Sequence, residues 1–168
     1  MSRERSVAER LPRWRALMGQ AFVVSFVLRQ SLQGGYAGMK VWVVDDDQAI
    51  CSLLKIMLSA KGYEVDTYQD PTATPILQGR ESCCSAEAML VDYFMPNMNG
   101  LDFLKELEAR DCQVVKGNRA IITAHHSPEL ERELEHMGVA CFTKPFQLPA
   151  ITRWLEACEQ RISGAHAE

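Results

Sequence analysis

Side chains able to handle a metal ion or a phosphoryl group follow short apolar runs at several places in this 168-residue chain. Asp45 and Asp46 follow the first run, and Asp92 follows a later run and precedes a proline-containing turn. Thr123 and Lys144 close two further runs. Carboxylate oxygens suit Mg²⁺, and phosphoryl transfer requires an in-line nucleophile with cations around the equatorial oxygens. These side chains therefore suit magnesium-dependent phosphoryl transfer if the fold brings them together.

The elements that must position these residues alternate between strand and helix from residue 39 onward. Apolar runs bounded by polar residues predict five strands. In chain order they read MKVWVV, YEVDTY, AMLV, RAIITA and VACFT. A helix is predicted after each strand, and this alternation favours a parallel sheet covered by helices on both faces. The predicted fold class is therefore α/β, with a five-stranded, doubly wound sheet.

Apolar stripes at helical spacing predict four of those helices. In chain order the stripes are Ile50, Leu53, Leu54, Met57 and Leu58; Leu101, Leu104 and Leu107; Leu130, Leu134 and Met137; and Ile151, Leu155, Cys158 and Ile162. The remaining helix is predicted to begin at Asp70 and Pro71, because a capping residue followed by proline is typical of a helix start. Pro75 limits this helix to a short segment.

The carboxyl ends of the strands are the expected location of the site. Ligands of open parallel sheets bind outside these ends, where the strand order reverses. If the first and third strands are neighbours across that reversal, Asp45, Asp46 and Asp92 meet there. Carboxylates this close repel one another unless a cation joins them. The sequence therefore predicts an acidic, cation-binding pocket at this edge of the sheet.

Four motifs, in this order and at these spacings, closely resemble the receiver domain of two-component response regulators. They are VVDDD, LVDYFMPNMNG, IITA and FTKPF. The resemblance covers about residues 39 to 163. It implies a flavodoxin-like sheet with the strand order 2-1-3-4-5, preceded here by an extra N-terminal segment.

The resemblance implies a role for each residue of the pocket. Asp92 would be the phosphoacceptor, Thr123 would donate its hydroxyl to a phosphoryl oxygen, and Lys144 would place its ammonium there. The implied Mg²⁺ ligands are Asp45, Asp46, Asp92 and the backbone carbonyl of Phe94. The bond between Lys144 and Pro145 is an implied cis peptide.

Three further residues are implied to modulate the phosphorylated state. Phe94 and His125, two positions beyond the phosphoacceptor and the threonine, flank the path of the hydrolytic water, and the apolar ring of Phe94 predicts slow autodephosphorylation. The family commonly has an aromatic residue three positions before the lysine, where this chain has Cys141. Because a thiol cannot reproduce the motion of an aromatic ring, we expect activation to be transmitted through Thr123 and loop 124–126.

The implied function is phosphorylation-dependent signalling. The chain would accept a phosphoryl group from a histidine kinase or a phosphotransfer protein and would signal by protein–protein contact. It would catalyse only its own phosphotransfer and autodephosphorylation, as a regulatory domain and not as an enzyme. The implied downstream surface comprises the fourth helix, the fifth strand and the fifth helix, in parts of SPELERELEHMG, VACFT and AITRWLEACEQ.

Two alternatives stay open. A phosphohydrolase of the haloacid dehalogenase type also orders an acid, a threonine and a lysine on a parallel sheet, and Asp45 would then be the nucleophile. That family needs a further acidic motif after Lys144. The acids that follow are Glu156, Glu159 and Glu168, on or beyond a helix, and the DYFMPNMNG turn stays unexplained. The second alternative is a receiver that belongs to a longer regulator.

Charge separates the chain into two parts. Residues 1–38 carry six arginines against two glutamates, whereas residues 39–168 carry 12 lysines and arginines against 20 acids. An acidic domain lacks the positively charged surface that nucleic-acid binding requires. We therefore expect no direct nucleic-acid binding.

The first 38 residues imitate a secretory signal, with a basic start, an apolar run and small residues. Gln20 and Arg29 interrupt or bound that run, so export is the less favoured interpretation. We expect residues 1–38 to be an amphipathic or poorly ordered extension, or an upstream-start artefact, and residues 39–168 to be the receiver domain.

No run reaches the roughly 18 apolar residues of a membrane span, and the cysteines suit a reducing compartment. The expected location is the cytoplasm.

Overall fold

The computed structural model describes residues 38–80, 85–110, 112, 114 and 117–165. Strands β1 to β5 span Lys40–Val44, Glu64–Tyr68, Ala88–Asp92, Arg119–Thr123 and Ala140–Thr143. Helices α1 to α4 span Gln48–Ser59, Gly100–Ala109, Pro128–Met137 and Leu148–Ala165. A 3-10 helix spans Pro71–Ala73, between β2 and β3.

The five strands form one parallel sheet in the order β2-β1-β3-β4-β5. β1 lies between β2 and β3, so the direction of winding reverses between β1 and β3. Val44 is opposite Val91, and Thr123 is opposite Thr143, so neighbouring strands end at the same edge. The predicted fold class and strand order are confirmed.

Alternate residues of the strands supply two hydrophobic cores, one on each face of the sheet. Trp42 and Val44 pack on one face with residues of α2 and α3, whereas Val41 and Val43 pack on the other with residues of α1 and α4. Every residue of β3 is buried. Parallel strands that are covered on both faces require such continuous apolar runs. Trp42 is fully buried and is therefore a core residue.

Side-chain caps begin three of the helices close to the carboxyl ends of the preceding strands. Asp47, Asn99 and Ser127 are the N-caps of α1, α2 and α3, and each accepts a backbone N–H of the first turn. Such a cap stabilises a helix by about 1 kcal/mol. The caps therefore define the ends of the loops that follow β1, β3 and β4.

The short helix predicted after Asp70 is a 3-10 helix of three residues. Asp70 is its N-cap, as predicted, but Thr74 is extended, with φ −65° and ψ 145°. The ring of a proline disfavours the helical conformation of the preceding residue, so Pro75 ends the segment. The described residues therefore contain four α-helices, where five helices were predicted.

The apolar stripe of α1 is wider than its contact with the sheet, which differs from the prediction. Its buried residues are Cys51, Leu54 and Leu58. Leu53 and Met57, predicted on the same buried face, are 52% and 39% exposed, and Ile56 is 68% exposed. The three buried residues have the spacing i, i+3 and i+7 and lie on one face of the helix. Apolar residues at neighbouring positions lie outside this face. An apolar patch of Leu53, Ile56 and Met57, here called the α1 patch, therefore faces outward.

The predictions for the N-terminal segment concern residues 1–38, of which residues 1–37 lie outside the described residues. Within the ranges that the structure does describe, no helix is long and apolar enough to cross a membrane.

Candidate functional site

Three charged side chains meet at the carboxyl edge of the sheet. The Lys144 ammonium lies 2.9 Å from Asp45 Oδ2 and 2.5 Å from Asp92 Oδ1. The side chains of Asp45 and Asp92 are 1% and 6% exposed, and that of Lys144 is 23% exposed. Asp45 directly follows β1, Asp92 ends β3 and Lys144 follows β5. The sheet thus joins residues that are up to 99 positions apart in the sequence.

Burial and pairing together set the charge of this cluster. Desolvation raises the pKa of Asp45, and hydrogen bonds from Lys144 and from the Asp47 amide oppose that rise. Desolvation lowers the pKa of Lys144, but hydrogen bonds to Asp92 and Asp45 outweigh it and give a net rise. The ammonium therefore stays charged at neutral pH between the two carboxylates.

Asp46 lies at the rim of the cluster. It is exposed, whereas Asp45 is buried. Asp45 Oδ1 accepts the N–H of Asp47 at 2.9 Å, which fixes the turn between β1 and α1. Among the described residues, no three acidic, histidine or cysteine side chains already converge as a metal cluster. The structure therefore brings Asp45 and Asp92 together through Lys144 and leaves Asp46 outside that contact.

Backbone hydrogen bonds hold the turn that follows Asp92. The Phe94 N–H donates to Asp92 Oδ2 at 2.8 Å, and the Gly100 N–H donates to the Tyr93 carbonyl at 2.9 Å. A Cβ at Gly100 would collide with the Asp92 carbonyl oxygen and would lie 2.9 Å from Cδ1 of Ile121. Glycine is therefore required for the loop to close against β3, and this closure fixes the Asp92 carboxylate.

The Thr123 hydroxyl is buried and bonded to the loop after β4. It donates to the His125 carbonyl at 3.0 Å and accepts the His125 N–H at 3.1 Å. A phosphoryl group that engages this hydroxyl must therefore replace the His125 carbonyl as its acceptor. The position of the loop and the partner of the hydroxyl are coupled through this contact.

Phe94 and His125 form an aromatic pair between the loops after β3 and β4. Their ring centroids are 5.5 Å apart, with an interplanar angle of 81°. Phe94 is 56% exposed, and its ring also contacts Tyr93 with centroids 4.6 Å apart. The two positions that the resemblance implies as flanking the hydrolytic water are thus in contact with each other.

β5 presents Cys141 and Phe142 to opposite faces of the sheet. Cys141 is partly buried against the core that includes α3, and burial raises the pKa of its thiol. Phe142 packs on the other core, where its ring meets that of Trp154 with centroids 5.9 Å apart. The bond between Lys144 and Pro145 is cis, as the resemblance implies.

Two polar contacts at the rim of the site are not indicated by the sequence. Asn97 Nδ2 donates to Asp70 Oδ2 at 2.5 Å, and the Gln69 side chain donates to the side-chain oxygen of Gln48. The sequence indicates Asp70 only as a helix cap. Because 27 positions separate Asp70 from Asn97, no local pattern could show this contact.

The fold and the cluster define a flavodoxin-like domain with an acidic pocket at the carboxyl edge of its sheet. The family model of the response regulator receiver domain matches residues 41–156 of this chain. The chain belongs to the response regulator receiver domain family. This is a family of regulatory domains of two-component systems and not a family of enzymes, which sets aside the phosphohydrolase alternative.

Curated proteins similar to the chain are regulators. It is 32% identical to the transcriptional regulatory protein QseB of Escherichia coli O157:H7 over 132 residues, which are 75% of this chain and 55% of that protein. It is 30% identical to the transcriptional regulatory protein FixJ of Azorhizobium caulinodans over 119 residues, 67% of this chain and 51% of that protein. The chain thus spans about half the length of these relatives.

Solved receiver structures are similar to the chain along nearly their whole length. The chemotaxis protein CheY4 of Vibrio cholerae superposes with a TM-score of 0.62 at 26% identity, covering 73% of this chain and 99% of that one. A Francisella response regulator receiver domain gives a TM-score of 0.64 at 23% identity, covering 74% of this chain and 99% of that one. The second likeness concerns the fold alone.

Proposed function

We propose that this receiver accepts a phosphoryl group on Asp92 from a histidine kinase or a phosphotransfer protein. The observation that carries the proposal is the Lys144 ammonium in contact with the buried Asp92 carboxylate at the carboxyl edge of the sheet. An Asp92 oxygen would attack the phosphorus of a phosphohistidine and form a P–O bond. The P–N bond would break, and its electron pair would stay on the imidazole nitrogen.

The oxygen atoms around the cluster fit Mg²⁺. Receiver domains generally bind Mg²⁺ at their acidic pocket, and this ion prefers a few hard oxygen ligands, with waters and phosphate oxygens to complete its octahedron. Two buried carboxylates share one ammonium, so their oxygens face a common point. The proposed ligands are Asp45, Asp46, Asp92 and the Phe94 carbonyl. Bound Mg²⁺ would neutralise charge on the phosphoryl oxygens.

Lys144 and Thr123 would change partners when Asp92 is phosphorylated. The Lys144 ammonium would turn from the carboxylates to a phosphoryl oxygen, and the Thr123 hydroxyl would leave the His125 carbonyl for another. The loop 124–127 would then move, because the hydroxyl is bonded to it in the unphosphorylated chain. Phosphorylation would thus be converted into displacement of this loop.

The downstream partner would bind the surface formed by α3, β5 and α4. The moving loop leads directly into α3, whose first residue is Pro128. Cys141 is small and partly buried, so its rotation would alter little of this surface. The signal would therefore reach the partner through Thr123 and the loop 124–127.

The test is phosphorylation by acetyl phosphate with Mg²⁺, followed by identification of the modified residue by mass spectrometry. A phosphoryl group on Asp92 supports the proposal. A phosphoryl group on Asp45 would instead support the chemistry of a haloacid dehalogenase, and absence of any modification would contradict the proposed function.

The α1 patch is the proposed docking surface for the phosphodonor protein. A donor must approach Asp92 from outside the sheet edge, and α1 begins at that edge with its cap Asp47. Ile56 is nine residues after Asp47, about 14 Å along the helix. A helical donor can therefore contact the α1 patch while its phosphoryl group reaches Asp92. A groove of about 450 Å³ continues the patch, lined by Met57, Lys61, Leu148, Pro149, Thr152 and Arg153. Lys61 and Arg153 make this groove positively charged, which favours a donor whose apolar contact surface is flanked by acidic residues.

Ile56→Ser is expected to slow phosphotransfer from the cognate donor protein roughly tenfold, because burial of an isoleucine contributes about 1.5–3 kcal/mol. Phosphorylation by acetyl phosphate should keep its rate, since this small donor needs no docking surface. Stopped-flow or quenched transfer assays with both donors measure the two rates. Equal transfer from the protein donor to wild type and variant would contradict docking on α1.

Phe94→Asn is expected to accelerate autodephosphorylation roughly tenfold. The half-exposed Phe94 ring pairs with His125 and offers no hydrogen bond to an attacking water, whereas an amide can orient one. The loss of the phosphoryl group after removal of the donor is followed by intact mass. Phe94→Leu, which keeps an apolar side chain, is the control and should stay slow. The same rate in wild type and Phe94→Asn would contradict this role.

We propose residues 39–168 as the receiver domain, residues 1–38 as an N-terminal extension, and the cytoplasm as its location. The curated relatives named above are transcriptional regulatory proteins about twice as long as the matched region. We therefore also propose, as the second alternative, that this receiver is one domain of a longer regulator. Intact mass of the native protein tests whether residues 1–38 are present and whether the chain continues beyond residue 168, and cell fractionation tests the location.

A further inference from the structure

The loop after β2 contacts both turns that flank the acidic pocket. Asp70, on this loop, accepts the Asn97 side-chain N–H at 2.5 Å. Its neighbour Gln69 donates to Gln48 at the start of α1. Gln69 and Asp70, here called the β2 bracket, therefore bridge the turn after β1 and the turn after β3.

These two turns are the ones that carry proposed Mg²⁺ ligands. Gln48 lies two positions after Asp46, and Asn97 lies three positions after Phe94. Met95 anchors the turn after β3 in the core, but Asp46, Phe94 and Asn97 are exposed. Contacts across the rim therefore add to these local anchors in setting the distance from Asp46 to the Phe94 carbonyl.

Asp70 is itself held in place. Its Oδ1 accepts the backbone N–H of Thr72 at 2.8 Å and the Thr72 hydroxyl at 2.7 Å, which leaves Oδ2 for Asn97. These hydrogen bonds lower the pKa of Asp70, so the carboxylate stays ionised and acts only as an acceptor at neutral pH. At the end of β2, the Tyr68 carbonyl accepts the N–H of Asp45 at 3.1 Å, which joins the same loop to the pocket.

We propose that Asp70 is a positioning residue for metal binding, and that it acts by holding the turn after β3 through Asn97. The proposal rests on the proposed function, because the ligands that it positions are those of that site. Asp70 does not touch the ion. It sets the separation of Asp46 from the Phe94 carbonyl, on which an ion with strict octahedral geometry depends.

An exchange of donor and acceptor tests the proposal. In Asp70→Asn the side-chain oxygen can still cap Thr72, but an amide N–H₂ then faces the N–H₂ of Asn97. In Asn97→Asp two carboxylates face each other. The double variant Asp70→Asn/Asn97→Asp restores one donor and one acceptor with the net charge of the wild type.

The dissociation constant for Mg²⁺ is measured from amide chemical shifts at about 0.15 M salt, where surface charges more than about 8 Å apart are screened. Each single variant is expected to bind Mg²⁺ roughly fivefold more weakly, the effect of one hydrogen bond of about 1 kcal/mol. The double variant should return to within about twofold of the wild type. Thr72→Ala, which removes a contact of Asp70 but not Asn97, should leave the constant unchanged.

The outcomes separate positioning from its rivals. A through-space charge effect would weaken Mg²⁺ binding in Asp70→Asn and strengthen it in Asn97→Asp, which would overturn the proposal. Lower melting temperatures with unchanged Mg²⁺ constants would show a merely structural contact, and failure of the double variant to recover would exclude the pairing. If the wild type itself binds no Mg²⁺, the proposed function fails, whereas unchanged binding in every variant contradicts the bracket alone.

Discussion

Asp92→Asn is expected to lower the rate of phosphorylation by acetyl phosphate at least about a thousandfold, because the amide has no nucleophilic oxygen to form the acyl phosphate. It also removes one of the two negative charges that face Lys144. The rate is measured by intact mass after timed exposure to acetyl phosphate and Mg²⁺. Glu135→Gln, the same kind of change at an exposed position of α3, is the matched control and should react at the wild-type rate.

The fold of Asp92→Asn should survive. The amide oxygen can still accept the N–H of Phe94, and Asp45 remains to neutralise the Lys144 ammonium. We therefore expect the free energy of unfolding to change by no more than about 1 kcal/mol, because one charge-assisted contact is exchanged for a neutral one. Phosphorylation of the variant at the full rate would contradict Asp92 as the phosphoacceptor.

Asp45→Asn distinguishes a ligand from a nucleophile. If Asp45 only binds the metal, its variant should still be modified on Asp92, at a lower rate and with a higher requirement for Mg²⁺. Complete loss of phosphorylation in Asp45→Asn, with full activity in Asp92→Asn, would reverse the two roles. The two variants therefore test the residue assignment independently of the fold.

The strand ends of the pocket could be predicted from the sequence because a parallel sheet imposes a rule. Each strand buried on both faces is a short apolar run, and its carboxyl end is marked by the first polar residue that follows. Asp45, Asp92 and Thr123 are such residues, and Lys144 comes directly after Thr143, the polar residue that ends β5. The strand order itself came from the resemblance, since apolar runs do not show which strands are neighbours.

The pairing within the pocket could not be predicted in the same way. That Lys144 joins Asp45 to Asp92, and that Asp46 stays at the rim, depends on side-chain directions at loop positions. The Thr123 hydroxyl is bonded to His125 for a similar reason, since the backbone course of one loop decides it. Periodicity describes the faces of helices and strands and contains no information about such turns.

The prediction for α1 was wrong at its edge because apolar character is not the same as burial. The helix stripe was assigned to the core as a whole, yet Leu53 and Met57 lie outside the contact with the sheet. A domain surface contains many apolar atoms, and a continuous exposed patch is the informative exception. The sequence therefore indicated Leu53 and Met57 of the α1 patch but not their side of the helix, and Ile56 was not part of the predicted stripe.

Lys144→Met is expected to have two large effects with different causes. It should slow phosphorylation about a hundredfold or more, because the developing charge on the phosphoryl oxygens loses a fixed cation. It should also destabilise the fold by about 3 kcal/mol at pH 7, because two nearly buried carboxylates lose the ammonium between them. Chemical denaturation and timed phosphorylation measure the two effects.

The pH dependence of this destabilisation follows from the direction of the pKa shift. The pKa of Lys144 is raised in the folded chain, so its pairing stabilises the fold fully below the pKa of the unfolded chain, and this contribution is lost as the pH rises through the folded value. The difference between wild type and Lys144→Met should thus be fully present at neutral pH and should disappear in strong alkali. The difference should also become smaller in acid, because protonation of Asp45, whose pKa is raised, removes its repulsion with Asp92.

A double variant separates the two roles of Lys144. In Lys144→Met/Asp45→Asn a single carboxylate remains in the cluster, so the repulsion is removed and most of the stability should return. Phosphorylation should stay slow, because no cation has been restored to the phosphoryl oxygens. Mg²⁺ should stabilise Lys144→Met more than the wild type, since it would bind two carboxylates that no longer have an ammonium partner. A Lys144→Met protein as stable as the wild type in the absence of Mg²⁺ would show that the ammonium does not neutralise the two acids.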